Sequence, residues 1–243
     1  MSFVYAVRSS IAYLSVILYI IVAAPFGLFL GAVLRWKRGL YALGHAGVGL
    51  ALTLCGIRYR VAGRENIPLG TAVVFCANHE SNVDPPVLFQ ALHPQLHILY
   101  KAELRSVPLM RTVLDVGGFV AVDRRDREQA MRSLEQGAAS LRAGNPFLIF
   151  PEGTRSRTGS LLPFKKGGFI MAIKAGVPIV PVAIAGGRDA MRKGSAFVRP
   201  VHVSVRIGPP VPTAGLTVAD RDELVARVRA EVQSLLDQGP VWT

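Results

Sequence analysis

From Ile11 to Leu34 the chain runs 24 residues without a charged side chain. No other stretch restricts the fold as much, because an apolar run of this length must be hidden in protein or in lipid. As a helix it is about 36 Å long, against a bilayer hydrocarbon core of about 30 Å. Pro25, Gly27 and Gly31 predict a kink within it. A cleaved leader ending near Val22-Ala23-Ala24 is the competing reading, but the apolar run continues past that site and a second one follows. Between the two stands Arg35-Trp36-Lys37-Arg38-Gly39, a composition suited to a membrane interface. The second stretch, Leu40 to Ile57, carries Ala42, Gly44, Ala46, Gly47, Gly49 and Ala51, small residues that let a helix pack closely on a neighbour. A buried helix pair in a soluble core fits the same residues. The basic turn belongs on the cytoplasmic side. Two full crossings would then put everything after Ile57 outside. We therefore expect a membrane-associating helical hairpin over 1–57 that dips into one leaflet. A second domain over 58–243 is expected on the cytoplasmic face of the cell (inner) membrane.

Apolar residues make up 51% of the chain, mean hydropathy is +0.36 and the formal net charge is +12. A basic chain this apolar suits an anionic membrane surface and phosphorylated ligands better than a DNA duplex. It has no basic recognition helix, zinc-ligand spacing or pattern of stacking aromatics, so no nucleic-acid partner is expected. Cys55 and Cys76 both lie in apolar runs, which gives no disulfide framework or metal site and fits a reducing compartment.

From Arg58 onward the pattern becomes globular. Short apolar runs predict strands at Arg58–Val61, Thr71–Ala77, His97–Tyr100, Gly118–Val122, Phe147–Phe150, Val177–Ile184 and Val201–Ile207. The two prolines of Val177-Pro178-Ile179-Val180-Pro181 place that strand at a sheet edge or a bulge. Amphipathic spacing predicts helices near 126–143 and 167–174, and a last one opened by a Thr217/Asp220 capping box. Strands alternating with helices define an α/β domain with a mixed central sheet flanked by helices.

The chemistry concentrates in Asn78-His79-Glu80-Ser81-Asn82-Val83-Asp84-Pro85. It joins an apolar strand to a helix in which Asp84 is expected as the N-cap and Pro85 as the first residue. A tight turn folds Asp84 back on His79. A carboxylate accepting one ring N–H fixes the tautomer and leaves the other nitrogen as a base for an alcohol. Taken alone, the pair reads equally as a helix cap beside a polar loop histidine. Farther on, Pro151-Glu152-Gly153-Thr154-Arg155 follows a strand. Arg155 offers a planar fork for phosphate oxygens, and Gly153 and Thr154 offer close backbone N–H groups. Arg124 is a further phosphate candidate, although with Arg125 and Arg127 it also reads as a solvated basic face. No G-x-S-x-G elbow or G-x4-G-K-[ST] loop is present, which disfavours a serine hydrolase and a nucleotide-binding enzyme.

Four stretches fall at expected strand ends: Asn78–Asp84, Gly118–Arg124, Phe150–Arg155 and Val177–Pro181. Reading NHESNVD, GGFVAVDR, FPEGTRS and VPIVPVA in that order, the set resembles the glycerolipid acyltransferases of the lysophosphatidate acyltransferase (PlsC-like) family, over about residues 58–210. The resemblance implies acyl transfer to the sn-2 hydroxyl of 1-acyl-glycerol-3-phosphate, giving phosphatidate. The donor would be acyl-CoA or acyl carrier protein as co-substrate, with no cofactor, metal or covalent intermediate. It implies His79 as general base, Asp84 as its orienting partner, and Glu152, Gly153, Thr154 and Arg155 at the acceptor site. Lys101, before Glu103-Leu104, resembles a family lysine placed to reach the phosphate. A carboxylate beside phosphate is repulsive, so Glu152 is expected to orient Arg155 or a glycerol hydroxyl. Glu80 departs from the common family residue and puts an extra negative charge beside the base. Other lysolipids, such as a lyso-ornithine lipid, remain alternative acceptors. A non-catalytic lipid-binding protein is the alternative from another class. His45, His93, His97 and His202 are expected to be structural or surface residues.

Overall fold

The computed structural model describes residues 2–106, 110–123, 126–191 and 196–242. Helix α1 (Ser2–Leu28) continues through Pro25 into a π-helical turn, Phe29–Val33, so the irregularity falls at Gly31. Arg35, in the left-handed region at φ 54°, turns the chain into α2 (Lys37–Cys55). There follow β1 (Ile57–Ala62), β2 (Val74–Ala77), α3 (Asp84–Ala91) and β3 (His97–Lys101). Next come α4 (Met110–Gly117), β4 (Val120–Val122), α5 (Arg127–Arg142) and β5 (Phe147–Ile149). The chain closes with α6 (Gly167–Ala175), β6 (Ile179–Ala185), β7 (Val201–Ile207) and α7 (Arg221–Asp237). The expected Thr217/Asp220 capping box forms on a 3₁₀ turn just ahead of α7.

The seven strands order as β1-β7-β6-β2-β5-β3-β4, with β6–β7 the antiparallel pair in an otherwise parallel sheet. Each strand's alternate residues feed separate cores. Phe75, Val182, Ile184, Val203 and Val205 pack with Leu52, Val87 and Leu88 of α2 and α3. Val74, Cys76, Phe147, Ile149 and Ile179 pack with residues of α5, α6 and α7. The helix after β2 thus lies on one face and the helix after β5 on the other. The strand ends of β2 and β5 part at a topological switch point, where α/β sheets form their crevices.

Three expectations change. Strand β6 is central rather than at an edge. Pro181 is tolerated there because its carbonyl accepts Gly208 N–H at 2.9 Å, so its missing N–H faces the side where β7 has just ended. The Val177–Pro181 block therefore opens β6 at the far end of the sheet, while the turn after Ala185 reaches the crevice. Helix α2 is a core helix: Leu52 and Cys55 belong to the same apolar cluster as Ile57 and Leu88. Tyr41 packs between Phe89 and Phe119 and donates to Gly117 O at 2.9 Å. The segment 1–57 is thus joined to the α/β core through its second helix.

Helix α1 is apolar on both sides. Ser9, Ala12, Gly27 and Leu30 form its buried stripe, while Val4, Ile11, Leu14, Leu18, Ile21 and Phe26 are exposed. Polar contacts tie it down along its length: Arg8 Nε to Leu54 O, Tyr13 OH to Ala196 O and Tyr19 OH to Leu43 O.

At the crevice Asn78 staples β2 to β6. Its amide donates to Ile184 O and accepts from Ile184 N, both at 2.8 Å and both buried. Asn78→Ala leaves that N–H and C=O unpaired, at a cost of about 2–4 kcal/mol. Thermal unfolding should shift down by roughly 5–15 °C for a chain of this size.

Candidate active site

The turn after β2 is built around Asp84. The structure makes Asp84 the first helical residue rather than the cap, and Val83 takes the cap position. Its side chain folds back over the turn. Oδ2 accepts from His79 Nδ1 at 2.8 Å and from the backbone N–H groups of Glu80 and Ser81, each at 2.7 Å. The carboxylate is fully buried. Its Oδ1 has no hydrogen-bond partner among the described residues and faces Gly187, where a Cβ would stand 2.9 Å away. A residue larger than glycine would close on the acid. Because a carboxylate can only accept, Nδ1 carries the ring proton and Nε2 is left with its lone pair. Among the described residues Nε2 has no hydrogen-bond partner, and the side chain is 17% exposed. Phe150 stacks on the ring with centroids 4.2 Å apart and fixes its tilt.

Glu152 arrives on the turn after β5 and braces the same loop. Its Oε1 accepts His79 N–H at 2.7 Å and its Oε2 accepts Leu162 N–H at 2.9 Å. Both oxygens point to the backbone, not to Arg155 as expected. Burial holds this carboxyl above the ordinary carboxylate range, while the two backbone N–H groups favour its charged form. Gly153 adopts φ 70°, which lets the chain turn sharply, and Ser156 N–H returns to His79 O at 2.8 Å. Thr154 is exposed and Arg155 half-buried, and both line a cleft of about 350 Å³ that Glu80, the residue after His79, also lines.

The turn after β6 forms the third wall. It was not anticipated from sequence, although a Gly186-Gly187-Arg188 run directly after an apolar strand is a readable signal of a turn at a strand end. Glu80 reaches into it, accepting Gly187 N–H at 2.8 Å, so its charge is directed away from the His79 ring. Lys101 ends β3 at the same sheet edge, two strands from β2. Its side chain, and Arg124 altogether, lie outside the described residues. His97 is buried against Tyr41, Phe119 and Phe147, and burial pushes it down to about 4. Among the described residues no group of three His, Cys, Asp or Glu side chains is placed to hold a metal ion.

A buried acid holds an imidazole in one tautomer on a turn whose next residue, Glu80, lines an arginine-bearing cleft, an arrangement that can support general-base chemistry. The chain belongs to the Acyltransferase family, whose pattern it matches over residues 58–185. It is 32% identical over 214 residues to the 1-acyl-sn-glycerol-3-phosphate acyltransferase of Limnanthes douglasii, covering 86% of this chain and 75% of that one. It is 31% identical to the enzyme of the same name from Borreliella burgdorferi, covering 79% and 77%. The crystal structure of the 1-acyl-sn-glycerophosphate acyltransferase PlsC from Thermotoga maritima superposes with a TM-score of 0.86, at 27% identity, over 100% of this chain and 99% of that one.

Burial, then the Asp84 charge, hold the Glu80 carboxyl above its ordinary 4.5. The folded state therefore binds this proton more tightly than the unfolded one. The resulting stabilisation is complete below the unfolded value and is lost as pH rises through the folded one. In melts between about pH 4 and pH 8, the stability of wild type relative to Glu80→Gln should be greatest at the acid end and decline to a plateau.

Proposed function

We propose that this protein is a 1-acylglycerol-3-phosphate acyltransferase of phospholipid biosynthesis. The observation that carries the reading is the His79 ring held through Nδ1 by buried Asp84, with Nε2 unpartnered among the described residues, while Ser156 of the Arg155 cleft donates its N–H to His79 O. Nε2 takes the proton of the acceptor's sn-2 hydroxyl as that oxygen bonds to the thioester carbon. The C–S bond breaks, and the departing thiolate recovers the proton from the imidazolium. The thioester is already activated, so alignment, proton transfer and charge stabilisation are what the protein must supply. Coenzyme A or acyl carrier protein carries the acyl group. Arg155, with the Gly153–Thr154 backbone, grips the phosphate monoester, with Lys101 and Arg124 as further cations for the headgroup. Glu152 acts from beneath by fixing the base's backbone. An uncharged or zwitterionic headgroup would leave these arginines unmatched, which favours lysophosphatidate over a lyso-ornithine lipid.

Helix α1 carries the protein to its substrate. Its exposed stripe is continuous and apolar, and its other side is fastened to the domain from Arg8 to Gly31. A helix fastened along its length lies in the plane of one leaflet more readily than it crosses the bilayer. The basic turn Arg35–Arg38 and the two buried free cysteines fit the cytoplasmic face and an anionic surface.

His79→Ala should fold and lower kcat by about 10²–10⁴-fold. The measurement is turnover of 1-acyl-glycerol-3-phosphate with labelled acyl-CoA, and normal turnover would remove His79 from the chemistry. Replacing Leu14, Leu18 and Ile21 together by Glu should release the protein from anionic vesicles in flotation, without loss of its helical circular dichroism. Protease access to an N-terminal tag in spheroplasts distinguishes the in-plane helix from a crossing one.

A further inference from the structure

The proposed reaction leaves two cations of the Arg155 cleft, Arg157 and Arg188, without a role, and of these Arg188 is the one held in place from two walls. Arg188, in the turn after β6, lines the same cleft of about 350 Å³ as Arg155 and Arg157, and faces it from the other side of β2. Its position is fixed twice. The Glu80 carboxylate accepts the backbone N–H groups of Gly187 and Arg188, tying this turn to the one that carries His79. Its Nη1 donates to Thr158 O at 2.5 Å, tying the guanidinium to the loop that carries Arg155. The Glu80 carboxyl in this cleft is turned onto backbone N–H groups. A phosphate monoester near neutral pH carries close to two negative charges and three acceptor oxygens. One planar guanidinium can match two of those oxygens, which leaves the third for a donor on another wall.

We infer that Arg188 is a second headgroup-binding residue, which makes the cleft specific for a dianionic phosphate monoester. This rests on the acceptor assigned above. Losing one charge-assisted contact at a partly solvated site corresponds to about a tenfold weaker hold. Arg188→Gln should therefore raise the KM for 1-acyl-glycerol-3-phosphate about tenfold, and the Ki of glycerol 3-phosphate as a competitive inhibitor by a similar factor. The KM for the acyl donor and kcat should stay within twofold of wild type (~2-fold). Arg188→Lys, which keeps the charge without the fork, should fall between the two. An unchanged acceptor KM in Arg188→Gln, or acceptor and donor KM rising together, would overturn the role of Arg188 while leaving the acceptor intact. Wild-type protein that fails to turn over 1-acyl-glycerol-3-phosphate would overturn the acceptor and this inference together.

Discussion

The site depends on one buried charge, the Asp84 carboxylate. Burying an ion is costly unless it is paired or hydrogen-bonded, and here one oxygen accepts two backbone N–H groups and the His79 ring. Those bonds come from within five residues, so the turn cannot relax without exposing the charge to apolar surroundings. At the first residue of α3, the carboxylate also meets the positive end of that helix. The acid therefore keeps its charge in a dry place and directs it through a single ring nitrogen. The same geometry that makes the turn rigid makes His79 a base of fixed tautomer.

Glu152 solves a second problem with the same means. The turns after β2 and β5 leave the sheet toward helices on opposite faces, which opens the crevice but also drives its walls apart. Glu152 bridges them with one oxygen on His79 N–H and the other on Leu162 N–H, and Glu80 bridges the turns after β2 and β6 in the same way. Glu152 and Glu80 are each satisfied by backbone donors. The arginines of the cleft, Arg155, Arg157 and Arg188, stand beside one exposed acid, Asp189.

Much of this was legible before the fold. The His79–Asp84 spacing, the apolar strand ahead of it and the Gly153–Arg155 turn are local, and local patterns survive into the structure. What failed was non-local. Pro178 and Pro181 pointed to an edge strand, because sequence does not reveal that Pro181 faces the end of β7, where no ladder bond is lost. Asp84 looked like a cap because its fold-back onto Glu80 and Ser81 competes with capping, and only the backbone path decides between them. Gly187 and Arg188 went unnoticed since their importance comes from β6 lying beside β2, a pairing between residues about a hundred positions apart. The small residues of Leu40–Ile57 suit lipid-embedded packing and packing on a sheet alike, and α2 uses them against the α/β core.

Helix α1 was ambiguous for a different reason. Both of its stripes are apolar, so periodicity could not show which one meets protein. Its polar residues settle this: Ser9 exchanges hydrogen bonds with Val198, and Tyr13 reaches Ala196. That segment leads to Arg199, whose N–H bonds Ala190 O, two residues beyond Arg188. It then enters β7, whose Ser204 pairs with Ala185, the last residue of β6. Helix α1 and the turn after β6 are therefore joined through a few bonded residues at the His79 end of the sheet.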